Sequence, residues 1–137
     1  MTATLFPTVE LLEHQFTEQV IGTKNKPGIA RQVGFRVYHT YRSKRSEPGW
    51  PDWALVRERF ITLELKTSSG KVSDAQKAWG RDLISGGVEF YIPRPADLDL
   101  LALILSSREN AGTGLLSTVE AQAARELLHA KTVEAIA

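Results

Sequence analysis

The chain has no cysteine and a single methionine among its 137 residues. Without thiols, a disulfide framework and a thiolate metal centre are both excluded, so any metal must be held by oxygen or imidazole. No apolar run approaches the ~20 residues of a membrane-spanning helix, and no basic stretch leads into an apolar segment with a cleavage site. We therefore expect a soluble, cytoplasmic protein with no membrane partner. The absence of a Gly-x-x-x-x-Gly-Lys-Ser/Thr loop argues against ATP hydrolysis and against a nucleotide cofactor. Ser43, Ser46, Ser68 and Ser69 have no evident histidine and acid to form a nucleophilic set. Acids are also missing from residues 24 to 45, which hold Lys24, Lys26, Arg31, Arg36, Arg42, Lys44 and Arg45, although the net charge of the whole chain is only +1. That stretch is a candidate phosphate-binding surface, with solvated charge as the plain alternative.

Against these absences stands one dense pattern. Gly49-Trp50-Pro51-Asp52 is followed twelve positions after Asp52 by Glu64-Leu65-Lys66. The run from Phe60 to Lys66 alternates apolar and polar residues. Read as a strand, it places Thr62, Glu64 and Lys66 on one face and Ile61, Leu63 and Leu65 on the other. Two carboxylates and an ammonium would then project together. Taken singly, Asp52 reads as a turn residue and Glu64 with Lys66 as a charged strand edge.

The remaining elements follow from spacing and punctuation. A helix is expected from a Thr8 cap to about Gly22, with Val9, Leu12, Phe16 and Val20 in an apolar stripe. At about 100° per residue Glu13 falls within that stripe, which would aim a carboxylate inward. A short helix between Pro27 and Gly34 precedes a strand, Phe35 to Thr40, then a basic loop, Tyr41 to Pro48. Trp53 to Arg57 and Phe60 to Lys66 read as a hairpin turning at Glu58-Arg59. Ser73-Asp-Ala-Gln76 has the form of a capping box opening a helix that stops at Gly86-Gly87. Val88 to Ile92 reads as a strand and Asp97 to Ser106 as an apolar helix. A Gly-containing linker follows, then a helix with a second capping box, Ser117 to Glu120. His39 is a candidate ligand or proton shuttle, although a lone strand histidine is more often packed or hydrogen-bonded.

In these residues the chain resembles the VRR-NUC branch of the PD-(D/E)xK nuclease superfamily, of the short stand-alone kind often found in phages. The resemblance spans about Glu13 to Leu105. It rests on the ordered set of Glu13, Phe35-Arg-Val-Tyr-His-Thr40, Gly49-x-Pro-Asp52, Glu64-Leu-Lys66, Ser73-x-x-Gln76, Trp79, Gly87 and Arg94-Pro95. It implies an α/β fold with a restriction-endonuclease-like core, a mixed central β-sheet flanked by helices, and an extra C-terminal helix. Residues 1–106 would form the nuclease domain, and 107–137 a linker and helix packing on the domain or on a dimer partner. The family commonly has glutamine one turn after its first-helix glutamate, where this chain has Thr17. The resemblance further implies that Glu13, Asp52 and Glu64 bind metal, that Lys66 assists the water and that Gln76 supports the site.

Asp52 and Glu64 offer the hard oxygen ligands that Mg²⁺ prefers, the backbone carbonyl of Leu65 offers another, and Mn²⁺ should fit as well. Lys66 would orient the nucleophile, accept its proton or stabilise the transition state. Lys24, Lys26, Arg36, Tyr41, Arg42, Lys44 and Arg45 are the candidate DNA contacts, with Tyr41 able to stack on an unpaired base. The expected function is that of a Mg²⁺-dependent DNA endonuclease in the bacterial host cell. As the resemblance implies, it would leave 5′-phosphate and 3′-hydroxyl ends, and branched DNA such as a four-way junction is a candidate substrate. Symmetric junction cleavage would require a homodimer. The alternatives are a non-catalytic nucleic-acid-binding accessory module on the same scaffold, or a nicking subunit that needs a partner.

Overall fold

The structure, a computed structural model, describes residues 9–40 and 47–137, with side chains described from residue 12 onward. In chain order it contains α1 (Val9–Val20), α2 (Ile29–Gln32), β1 (Arg36–His39), β2 (Trp53–Val56), β3 (Phe60–Leu63), α3 (Asp74–Ser85), β4 (Glu89–Tyr91), a 3₁₀ turn (Pro95–Asp97), α4 (Leu98–Ser106) and α5 (Val119–Ala135). The strands form one mixed sheet in the order β1-β2-β3-β4. The first three are antiparallel and β4 runs parallel to β3. That last pairing needs a crossover, which α3 supplies.

Alternation along β3 sets the layers. Ile61, Leu63 and Leu65 point into the main core with Leu55, Phe16, Val20, Leu101, Ile104, Leu105 and Leu128. On the opposite side a smaller cluster of Leu83, Phe90, Ile92 and Ile136 lies under α3, joined by Trp50. Both faces of the sheet are therefore covered by helices, and the polar members of β3 are buried as well. Although β3 ends formally at Leu63, its ladder to the β4 side continues, with Glu64 N–H donating to the Tyr91 carbonyl at 3.0 Å and Lys66 N–H to that of Pro93 at 3.2 Å. The expected face of Thr62, Glu64 and Lys66 is thus held in register through the acid and the lysine.

Two boundaries differ from the sequence reading. Thr118, not Ser117, caps α5, because its extended backbone lets the hydroxyl accept from the Ala121 N–H at 3.1 Å; Ser117 is instead tied through its own N–H to the Arg108 carbonyl. The turn before α4 is 3₁₀, closed by the Asp97 carboxylate accepting from the Arg94 N–H at 2.9 Å. The hairpin turn also does more than reverse the chain. Arg57 donates to the carbonyls of Val33, Leu105 and Ser107, and Arg59 to those of Ile104 and Ser107. Two guanidiniums thereby cap the C-terminal carbonyls of α4, where cations are favoured by the helix dipole. α5 packs on α4 and β4, burying Ala121, Ala124 and Leu128.

Candidate active site

The site is built where β2, β3 and α3 meet. The β2–β3 register pairs Trp53 with Leu63, and continuing it sets Asp52 opposite Glu64 and Pro51 opposite Leu65. The Asp52 N–H donates to Glu64 Oε2 at 3.1 Å. Gln76, in the first turn of α3, donates through Nε2 to Glu64 Oε1. Lys66 Nζ lies 4.0 Å from the same Oε1. Glu64 itself is only 2% exposed.

Gln76 performs both functions that its position in the capping box left open. Its Oε1 accepts from the Ser73 N–H at 2.9 Å, while the Ser73 hydroxyl accepts from the Gln76 N–H at 3.1 Å. Because a backbone N–H can only donate, the amide oxygen must face Ser73 and the amide nitrogen must face Glu64. The helix cap therefore orients the side chain that holds the acid.

The approach of the Asp52 loop to α3 is fixed by Gly49 and Trp50. Gly49 adopts φ +91°, and a Cβ built there would lie 2.4–2.7 Å from backbone atoms of Ala75 and Gln76. Only glycine allows this contact. Trp50 then packs edge-on against Trp79 with ring centroids 5.0 Å apart. Farther along, Arg94 Nη1 donates to the carbonyls of Thr67 (2.5 Å) and Gly70 (2.8 Å), pinning the loop that leaves Lys66.

Electrostatically the centre is short of positive charge. Burial, followed by the neighbouring Asp52 carboxylate, pushes the Glu64 carboxyl up to about 7, against the lowering effects of the Asp52 N–H and Lys66. Two acids crowded into one buried site are held together either by a shared proton or by a cation. The donor set fits a hard divalent ion, which is commonly bound by one or two carboxylates and keeps several waters. Leu65 sends its side chain into the core, and strand alternation turns its carbonyl away from β4, toward the Asp52 side. Its expected ladder partner there is Pro51, which has no N–H to donate, so the sheet itself leaves this oxygen available to an ion.

Glu13 does not join this group. The sequence reading aimed it into the core as a third acid, whereas the side chain is exposed on α1. Among the described side chains of that helix Phe16 and Val20 are buried, and Leu12 is 39% exposed. Exposure of the four described side chains from Leu12 to Gln15 shows that angular position on this helix does not decide the environment of Glu13. Among the described residues, acids and histidines do not gather in threes.

Of the candidate DNA contacts, Lys24, Lys26 and Arg36 are exposed. Tyr41, Arg42, Lys44 and Arg45 lie outside the described residues. His39 is packed, its ring stacked on Trp53 with centroids 4.1 Å apart and planes at 15°. Gly49 and Arg94 were noted in the sequence as parts of the pattern without a role. The positive φ and the close backbone approach explain the first, and the loop carbonyls explain the second, neither of which residue spacing reports.

No family model, curated protein or solved structure matches the chain.

Proposed function

We propose that the chain is a divalent-cation-dependent endonuclease acting on DNA, on a restriction-endonuclease-like core. The observation that carries this reading is Glu64: a buried carboxylate fixed by donors from two separate elements, with Asp52 and Lys66 beside it. A structural acid on a sheet would be satisfied by one partner and would gain nothing from a second acid at its side. Maintaining both costs stability, which is expected where a site is organised for binding or chemistry.

In this reading Asp52, Glu64 and the Leu65 carbonyl would hold Mg²⁺ or Mn²⁺. The bound ion supplies Lewis acidity toward the phosphodiester and toward an attacking water. The protein's own contribution is positional. Gln76 and the Asp52 N–H occupy one lone-pair direction on each Glu64 oxygen and so fix the rotamer of the carboxylate. Lys66, half-buried and 4.0 Å from Glu64 Oε1, brings a positive charge to the place where charge develops on the phosphoryl oxygens or the attacking water. Glu13, exposed on α1, is left out of the ligand set.

The rival reading, a non-catalytic nucleic-acid-binding module, is favoured by one observation: the described site has two acids and not three. A partner-dependent nicking subunit would share the same geometry. If branched DNA is cut symmetrically by a homodimer, α5 is where the second copy would be sought. Its Val119, Leu127 and Val133 are exposed within a stripe of about 120° opposite its buried face.

The deciding experiment incubates the protein with duplex, single-stranded, flap and four-way-junction DNA in Mg²⁺, Mn²⁺ or EDTA, alongside Glu64→Ala and Asp52→Ala. Metal-dependent cleavage that is lost in both variants is expected. Binding without cleavage under every metal condition would overturn the nuclease in favour of the binding module.

A further inference from the structure

A groove of about 640 Å³ runs along the β1 edge of the sheet, between that strand and the turn joining α1 to α2. Its volume falls in the range of small-molecule sites. Lys24, Lys26 and Arg31 line it together with Tyr38, His39 and Trp53, and among the described residues no acid does. We infer that this groove binds an unpaired nucleotide, stacking the base on its aromatic side chains and holding the phosphates with its cations. This rests on the nucleic-acid part of the proposed function and not on cleavage.

The aromatic wall follows from the sheet. Thr40 N–H donates to the Asp52 carbonyl at 2.8 Å, so the residues between that pair and the next hydrogen-bonded one, His39 and Trp53, form a non-hydrogen-bonded pair whose side chains approach closely. Hence their rings stack at 4.1 Å, and both contribute surface to the groove. Tyr38 points to the other face of β1, the face of Asp52, and is 66% exposed. It sits opposite Ala54, one step along the strand from the Asp52 pair. Tyr38 therefore stands at the rim of the groove, and the stacked wall is His39 and Trp53.

The cationic wall is preorganised. Gly22 and Pro27 form an isolated bridge, and Thr23 closes the turn in both directions, its N–H donating to the Lys26 carbonyl and its hydroxyl accepting from the Lys26 N–H. At Gly22, with φ +98°, a Cβ would lie 2.3–2.8 Å from backbone of residues 26 to 28. The turn is thus compact, with Lys24 at its tip. Arg31 is anchored by donating to the Ile21 carbonyl at 2.6 Å, which leaves the rest of its fork for a phosphate. A neighbouring groove of about 520 Å³ against α1 has, among the described residues, Lys26 as its one cation, faced by the Glu18 carboxylate, and Phe16 as its one aromatic ring, which is buried.

The test measures binding of a short oligothymidylate and of a duplex of equal length in EDTA, by tryptophan quenching and fluorescence anisotropy, with Asp52→Ala as parent. Oligouridylate is run beside them to separate DNA from RNA. The single strand should bind tighter than the duplex and quench fluorescence. His39→Ala should weaken it about 10-fold, the order expected for loss of one stacked base. Lys24→Ala with Lys26→Ala should reduce the salt slope by roughly 0.7 for each phosphate that is no longer neutralised. Lys24 and Lys26 are exposed and His39 is half-buried, and circular dichroism checks that the variants fold. Equal affinities for single strand and duplex, or no change in His39→Ala, would overturn the groove. Cleavage by the wild type that persists in that case would leave the nuclease standing. Intact groove binding with no cleavage would support the groove and overturn the nuclease.

Discussion

Gln76 Nε2 donates to Glu64 Oε1 while the other end of the same amide accepts from the Ser73 N–H. One side chain thus couples the start of a helix to the acid of the site. Gln76→Ala removes both hydrogen bonds. It should cost about 1 kcal/mol through the missing cap and leave Glu64 Oε1 without its donor. Gln76→Glu keeps an acceptor for Ser73 but sets a third carboxylate against Glu64, raising its pKa further. We expect Gln76→Glu to melt near the wild type only in acid, where the carboxyls are protonated, to fall below it at neutral pH and to need a higher pH for cleavage, whereas Gln76→Ala loses melting temperature at either pH. A pH–rate profile with thermal melts separates the two.

The raised pKa of Glu64 makes a second prediction with a definite sign. Its folded value of about 7 exceeds the ordinary 4.5. In the metal-free protein its contribution to stability is complete below about pH 4.5 and is lost as pH rises through 7. At about 1.4 kcal/mol per unit the loss amounts to roughly 3 kcal/mol. Below pH 7 Mg²⁺ must displace the proton, so its apparent affinity should rise up to tenfold per unit and level off above 7. Thermal melts in EDTA and in millimolar Mg²⁺ at about pH 5.5, 7 and 8.5, referred to Glu64→Ala, check both. A Mg²⁺-induced shift independent of pH would rule Glu64 out as a ligand.

Much of this arrangement was legible in the chain because it is local. The alternation from Phe60 to Leu65, the Ser73 capping box and the Gly86-Gly87 stop each encode their own backbone, and the hairpin brings Asp52 to Glu64 by register alone. The positions that misled were set by tertiary coverage. Glu13 lies at a core-facing angle on a helix whose described side chains from Leu12 to Gln15 are exposed. Arg57 reads as the end of a strand and Arg59 as a turn residue until α4 places its terminal carbonyls beside them. The groove between the His39–Trp53 wall and the turn of residues 22 to 27 is a juxtaposition that no periodicity reports.

Arg94 tests whether Lys66 must be held from behind. Its two charge-assisted bonds to Thr67 and Gly70 should contribute about 2–3 kcal/mol. In Arg94→Ala the carbonyls can turn to water, so the expected result is local loosening and not global unfolding. Amide exchange at Gly70, whose N–H bonds to the Thr67 carbonyl, should accelerate while that of Leu63 does not. An unchanged Gly70 rate would mean that the loop holds itself.

Gly49→Ala isolates the close approach that positions the whole Asp52 loop. Alanine must adopt φ +91° and place its methyl 2.4 Å from the Ala75 carbonyl carbon, so either the loop or the first turn of α3 must move. The backbone strain alone costs at least about 1 kcal/mol, and the clash is with backbone, which cannot rotate away. Moving the loop would carry Asp52 N–H from Glu64 Oε2, and moving α3 would carry Gln76 from Oε1. Either route damages the site, so metal affinity should fall by more than the loss in stability accounts for. Calorimetric titration of Mg²⁺ at a temperature where the variant remains folded measures this directly. Wild-type affinity in a destabilised Gly49→Ala protein would show that Asp52 and Glu64 find their positions without the glycine.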